Sequence, residues 1–184
     1  MDSKLQIISG MFRGRKLRLP ASARPTQNRA RIALFNMLES LGVTPSVAWD
    51  AFAGSGAFGL EILSLYPTAR VVFSDTAADT IKIIRDNLKN LNIDSRATAL
   101  CGDALDMISK YGTAADLIFL DPPYANAADA RDFVTRLTNV ACAGTILVWE
   151  QDASAATNPP AGWAVLRDRQ YGRARFLILR RDGE

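Results

Sequence analysis

No histidine occurs anywhere in the chain. That absence removes Ser-His-Asp triads, Cys-His dyads and His-ligated zinc from consideration. The two cysteines, Cys101 and Cys142, make no metal-ligand spacing and no secreted disulfide scaffold, so no metal is expected. No apolar run approaches the ~18–20 residues needed to span a bilayer. The opening Met1-Asp2-Ser3-Lys4-Leu5 lacks the apolar core of a signal peptide, and a cytoplasmic protein without membrane contact is expected. Internal repeats and low-complexity segments are also missing. What remains is a chain of 184 residues, 48% apolar, with a mean hydropathy of +0.01, long enough to bury a real core.

Net charge is only +3, but it is unevenly placed. Residues 1–31 carry eight basic side chains against Asp2 alone, a net +7; residues 32–162 sum to −7 and residues 163–184 to +3. A basic arm on an acidic body suits a protein that holds a polyanion with one region and does chemistry in another. A solvated basic ribbon would have the same composition.

The head, Leu5–Ser9 and Lys16–Leu19 around Gly10 and Gly14, reads as a hairpin ended by Pro20. After Pro25, Leu34, Met37, Leu38 and Leu41 recur at helical spacing up to Gly42, with Thr26 as a candidate N-cap. From Ser46 strands alternate with helices. Strands are expected at 47–52, 70–75, 97–101, 117–120 and 145–149, with helices at about 57–65 and around Ile84, Leu105 and Phe133. Residues 163–169 and 175–179 flank Tyr171-Gly172-Arg173 and should pair as a hairpin. The fold class is therefore α/β, a Rossmann-like, mostly parallel doubly wound sheet with an antiparallel C-terminal hairpin. Residues 1–44 form a basic hairpin-helix extension and residues 45–184 the main domain. Trp163 and Tyr171 are assigned to packing, and a monomer is expected.

In such sheets ligands bind beyond the carboxyl ends of the strands. Asp50-Ala51-Phe52-Ala53-Gly54-Ser55-Gly56-Ala57-Phe58-Gly59 matches G-x-G-x-x-G, a spacing that also occurs in dinucleotide-binding oxidoreductases and in plain tight turns. Asp50 shifts the reading. A carboxylate there repels a pyrophosphate but suits a cationic ligand with an α-amino group, such as S-adenosylmethionine. Asp75, ending the second strand, can accept the ribose hydroxyls. Asp103 and Ala104, after the third, are placed for the adenine, although Asp103 also fits a helix N-cap. Phe52, Ala53, Gly54, Ser55, Gly56 and Gly59 complete the cofactor set.

The fourth strand ends in Asp121-Pro122-Pro123-Tyr124. Two prolines stop a strand and stiffen the loop that follows. An exocyclic base amine is a poor nucleophile because its lone pair is delocalised into the ring. Hydrogen bonds to the Asp121 carboxylate and the Pro122 carbonyl would hold it, the prolines fix that carbonyl, and Tyr124 can stack on an extruded base. Asp-Pro-Pro-Tyr at this place is the signature of methyltransferases acting on exocyclic or amide nitrogens with S-adenosylmethionine.

Over nearly its whole length the sequence resembles the RsmD-type methyltransferases of bacteria, which methylate the exocyclic amine of a guanine in small-subunit (16S) ribosomal RNA. Ile7–Leu17 is similar to that family's I-x-G-x-x-R-G-R-K-L opening. Arg24-Pro25-Thr26-x-x-Arg29-x-Arg31-x-x-Leu34-Phe35-Asn36 is similar to its R-P-T-x-D-R-x-R-E-x-L-F-N segment, with Asn28 and Ile32 where the family usually has acids. The resemblance implies that Arg13, Arg15, Lys16, Arg24, Arg29 and Arg31 grip ribosomal RNA or close over the site, giving salt-sensitive affinity while the pocket reads the base. Alternatives are an adenine- or cytosine-amine methyltransferase on RNA or DNA, a glutamine-amide methyltransferase, a catalytically idle RNA-binding assembly factor and a nicotinamide oxidoreductase.

Overall fold

The computed structural model describes residues 5–19, 28–123, 127–154 and 158–183. Leu117-Ile118-Phe119-Leu120 is buried at every position, the texture of a strand covered on both faces. It is β4 of a seven-stranded sheet made of β1 (Val47–Asp50), β2 (Arg70–Asp75), β3 (Ala97–Cys101), β4 (Leu117–Leu120), β5 (Ile146–Asp152), β6 (Trp163–Tyr171) and β7 (Ala174–Arg181). The order is β3-β2-β1-β4-β5-β7-β6. Strands β1 to β5 pair in parallel, while β7 runs antiparallel to β5 and β6. The winding reverses between β1 and β4, which sets a switch point at their carboxyl ends.

The helices are α1 (Asn28–Ser40), α2 (Ala57–Leu65), α3 (Ala78–Asn90), α4 (Ala104–Met107) and α5 (Ala127–Thr138). They cover both faces of the sheet. One apolar cluster joins Leu34, Leu38, Phe58, Leu60, Phe73, Ile84, Phe119, Val148 and Phe176. On the other face Trp49, Ile118, Leu120, Phe133, Leu137, Leu147 and Trp149 form a second. Helix α3 shows how sequence selects face: Ile81, Ile84 and Leu88 are buried at spacings of three and four, while Lys82 and Lys89 point to solvent. Helix α1 stops at Gly42, φ +69, where Val43 N–H donates to the Leu38 carbonyl at 3.0 Å, a left-handed cap that glycine adopts without strain.

Several boundaries differ from the sequence expectation. β1 ends at Asp50, because Ala51 and Phe52 already turn toward the glycine loop. β5 runs on to Asp152, since pairing with β7 continues to Asp152↔Ala174. The helix after β3 tightens into α4 and then widens into a π-turn over Ile108–Gly112. The second hairpin strand, β7, inserts beside β5 and leaves β6 at the edge. The candidate cap Thr26 lies outside the described residues.

The expected N-terminal hairpin forms as a short antiparallel pairing around a 3-10 turn at Gly10–Phe12: the bridge is Gln6↔Lys16, the Ile7 N–H donates to the Arg15 carbonyl at 3.0 Å and the Leu17 N–H to the Leu5 carbonyl at 2.9 Å. Side chains of other elements hold this hairpin against the body. Leu5, Ile7 and Leu17 enter the same cluster as the sheet. A Cβ at Gly10, φ +74, would collide with the Ser64 carbonyl of α2, so only glycine permits this approach. Asn87 of α3 clasps Arg18, its Oδ1 accepting from the Arg18 N–H at 2.9 Å and its Nδ2 donating to the Arg18 carbonyl at 3.0 Å. Among the described residues, no helix is long and apolar enough to cross a membrane.

Candidate functional site

Four acidic residues stand at successive strand ends: Asp50 on β1, Asp75 on β2, Asp103 after β3 and Asp121 after β4. The loop from Asp50 to α2 lies between them, and its glycines have distinct tasks. Gly54 and Gly56 have φ of +49 and +71, a conformation that disfavours any Cβ. Gly59 serves packing, because a Cβ there would strike the Phe73 ring. Ala53 is buried and Ser55 half-buried. Phe52 packs edge-on against Phe133 with ring centroids 6.0 Å apart.

Asp50 is 1% exposed. Its Oδ2 accepts from the Gly59 N–H at 3.1 Å, whereas its Oδ1 is buried with no hydrogen-bond partner among the described residues. Burial raises its pKa well above the usual carboxylate range, opposed by the Gly59 N–H and reinforced by the charges of Asp121 and Asp75. A buried carboxylate oxygen left unsatisfied is costly, and a ligand amine would satisfy it. Asp75 is braced for contact: Oδ2 accepts from Gly54 N–H at 2.9 Å and Oδ1 from Ala77 N–H at 2.8 Å. Each oxygen keeps a lone pair for a further donor. Asp103 caps α4 through the Leu105 N–H at 2.9 Å, with Ala104 buried behind it. These acceptors fit a ligand that carries an amine and ribose hydroxyls, as S-adenosylmethionine does.

Asp121 is half-buried, Pro122 buried and Pro123 exposed. Burial pushes the Asp121 pKa up to about 7. Beneath the loop Phe119 stacks on Phe58 at 4.2 Å, and Phe58 on Phe35 of α1 at 5.4 Å, so three rings tie the end of β4 to α2 and α1. Tyr124 and Arg24 lie outside the described residues.

Of the remaining basic candidates, Arg13, Arg15, Lys16 and Arg29 are exposed. Arg15 also donates to the Asn90 carbonyl at 3.1 Å. Arg31 is buried, 3% exposed, and donates to the Gln6 carbonyl at 2.6 Å and to Asn28 Oδ1 at 3.2 Å. Asn28 thus supplies an acceptor where the family usually has an acid. The charge opposite Arg31 comes from Glu61, a buried α2 residue that sequence reading passed over. Glu61 accepts the Ile8 N–H at 3.0 Å and the Ser9 N–H at 2.6 Å, and neighbouring Ser64 accepts the Phe12 N–H at 2.9 Å. Together they fix the loop that displays Arg13, Arg15 and Lys16. Burial raises the Glu61 pKa, while the Ile8 N–H, the Arg31 charge and the Ser9 N–H lower it. The only sequence signal for Glu61 is a charge inside an otherwise apolar helix.

Among the described residues, no group of three or more His, Cys, Asp or Glu could hold a metal ion. Residues 5–180 match the family described as Conserved hypothetical protein 95. The chain is 30% identical to Ribosomal RNA small subunit methyltransferase D of Escherichia coli, an alignment covering 100% of this chain and 93% of that protein. A solved structure, a putative methyltransferase yhhF from Escherichia coli, superimposes with a TM-score of 0.84 at 28% identity, covering 98% of this chain and 99% of that one. An RNA methyltransferase from Salinibacter ruber, solved in complex with S-adenosyl-L-homocysteine, has a TM-score of 0.65 at 21% identity over 88% of this chain and 95% of that one, a likeness of fold alone.

Proposed function

The chain belongs to the family described as Conserved hypothetical protein 95, that of ribosomal RNA small subunit methyltransferase D, and from this premise we propose that it methylates the exocyclic N2 amine of a guanine in small-subunit ribosomal RNA. It is an S-adenosylmethionine-dependent methyltransferase of ribosomal RNA. The observation that carries the site assignment is the buried Asp50 Oδ1, without a hydrogen-bond partner among the described residues and beside Asp121 at the switch point.

S-adenosylmethionine supplies the methyl group. The residues of the chain do the rest by holding and orienting. Asp50 accepts the cofactor amine, and Asp75 accepts the ribose hydroxyls. Asp103 and Ala104 border the adenine. The Asp121 carboxylate and the Pro122 carbonyl accept from the two hydrogens of the base amine, which orients its lone pair and favours a more pyramidal nitrogen. Tyr124 is assigned to stacking on the extruded base. Arg13, Arg15, Lys16, Arg24 and Arg29 contact phosphates, while Arg31 has a structural role: its guanidinium ties Gln6 to α1. By this assignment residues 1–44 act as an RNA-holding extension of the domain formed by residues 45–184.

The test is methyl transfer from labelled S-adenosylmethionine to small ribosomal subunits lacking the modification, followed by digestion and nucleoside identification. Label in N2-methylguanosine is the expected result. Label in methyladenosine or methylcytidine would keep the cradle and overturn the base. An idle assembly factor predicts cofactor binding with no label at all.

A further inference from the structure

The cations of the N-terminal loop stand well away from the amine cradle. Gly10 lies against the Ser64 carbonyl and Arg15 donates to the Asn90 carbonyl, at the last turns of α2 and α3. Helix α2 begins at the cofactor loop and runs nine residues, so its length of about 14 Å separates the two. A different cationic element reaches the catalytic edge. Strand β5 pairs with β4 as far as Trp149 but with β7 as far as Asp152↔Ala174. The turn Gly172-Arg173 between β6 and β7 therefore stands at the carboxyl edge of the sheet, roughly 10 Å beyond the end of β4. The Arg173 side chain is 82% exposed there, 3.4 Å from Asp152, and an exposed pair of this kind is weak. Arg169, near the end of β6, is exposed as well. The acid beside it, Asp168, is engaged by Arg175, whose Nε and Nη2 donate to its two oxygens at 2.8 and 2.6 Å.

A β-bulge sets the direction of Arg169. Before the bulge Val165 pairs with Leu179, of the Trp49 cluster; after it Arg167 pairs with Ile178 and Arg169 with Phe176, both of the Phe119 cluster. Opposed residues share a face, and unbroken alternation would have kept Arg167 and Arg169 on the face of Val165. The extra residue, Leu166, turns both to the face on which Leu5, Ile7 and Leu17 of the N-terminal extension are packed.

We propose that Arg169 and Arg173 form a second phosphate grip, holding the ribosomal RNA backbone beside the target nucleotide while its base enters at Asp121. The inference rests on ribosomal RNA as the substrate and is indifferent to which base is methylated. Strand β6 lies three places from β4 in the sheet, about 14 Å at roughly 4.8 Å per neighbour, a span that a few nucleotides cover. The acidic strand ends repel a phosphate backbone, so cations on the rim must take the phosphates that flank an extruded base. Such contacts fix register and carry no sequence information, which leaves the base to the cradle.

The experiment measures binding of R169A/R173A to unmodified small ribosomal subunits across a salt series, with methyl transfer on the same particles. Each lost phosphate contact removes roughly 0.7–0.9 counterions, so the slope of log affinity against log salt should fall by about 1.5. KM should rise, with S-adenosylhomocysteine affinity unchanged. R169K/R173K keeps both charges and should restore the slope. An unchanged slope would overturn the proposal, even beside a raised KM, which would then mark damage to the hairpin. If the double variant does not bind S-adenosylhomocysteine, R173A alone decides: its slope should fall by about 0.8, and an unaltered slope overturns the grip. Failure of the ribosomal RNA reading would appear separately, as wild-type protein that puts no label into the RNA of these subunits.

Discussion

Asp50 and Asp121 carry opposite demands on one small site. Asp50 is withdrawn from water and Asp121 half so, and each resists ionising, yet the proposed chemistry needs both as acceptors. Replacing Asp50 by Asn keeps an acceptor for Gly59 and removes the charge awaiting an amine. Loss of a charged hydrogen bond of about 1.5–3 kcal/mol should weaken S-adenosylhomocysteine binding roughly ten- to a hundredfold, read by calorimetry. The ligand-free variant should also melt higher than wild type, because an amide has no carboxylate charge to bury. Unchanged affinity would remove Asp50 from the amine site. For Asp121, with a pKa of about 7, the working form is the carboxylate, so kcat/KM for subunits should rise between pH 6 and 8. Stability runs the other way. The folded state holds this proton more tightly than the unfolded chain, so the stabilisation is complete below an unfolded pKa of about 3.9 and is lost as pH rises through about 7. Asp121→Asn should flatten both profiles, and a persisting activity limb near pH 7 would assign it to another group.

Among the elements, α2 links the cofactor loop to the basic arm. Its first residue follows Gly56, its middle holds Ile8 and Ser9 through Glu61, and its end is capped by Arg96, whose Nη2 donates to the Leu63 carbonyl at 2.8 Å and Nη1 to the Pro67 carbonyl at 2.9 Å. A cation on the last carbonyls of a helix also meets the negative end of its dipole. Arg96→Met should therefore cost about 1–3 kcal/mol in urea denaturation. A loss under about 0.5 kcal/mol, the range of an ordinary surface change, would show that the cap is idle. These couplings mark the limit of sequence reading. The strand-helix alternation, the glycine loop and Asp-Pro-Pro-Tyr were legible because each signal is local: periodicity, turn chemistry and a proline stop. Glu61, Asp152 and Arg31 were not, because their surroundings come from residues distant in the chain. Arg31 showed its charge but not its burial, which depends on Gln6 and Glu61 closing over it. Asp152 fell beyond the expected end of β5, since only pairing with β7 extends that strand past Trp149.

At the scale of the molecule the uneven charge acquires a geometry. Arg13, Arg15 and Lys16 sit on a loop locked to α2, so their positions are set before any RNA arrives, and little ordering entropy is lost on binding. The acidic strand ends gather negative charge at the switch point, which disfavours a phosphate backbone and suits amine donors. Under the proposed assignment affinity and base choice are divided between two surfaces. If the loop makes phosphate contacts, each cation displaces roughly 0.7–0.9 counterions, and changing all three to Ala should lower the slope of log affinity against log salt by about 2–3. S-adenosylhomocysteine affinity should stay at the wild-type value, and methylation at saturating subunit concentration should keep its rate while KM rises. Glu61→Gln offers a contrast, since it leaves the three cations in place and loosens their mount. It should raise KM with the salt slope preserved. A triple variant with an unaltered slope would send the RNA elsewhere on the surface; a lowered slope with kcat intact would fix the loop as the phosphate grip and leave the chemistry to the strand ends.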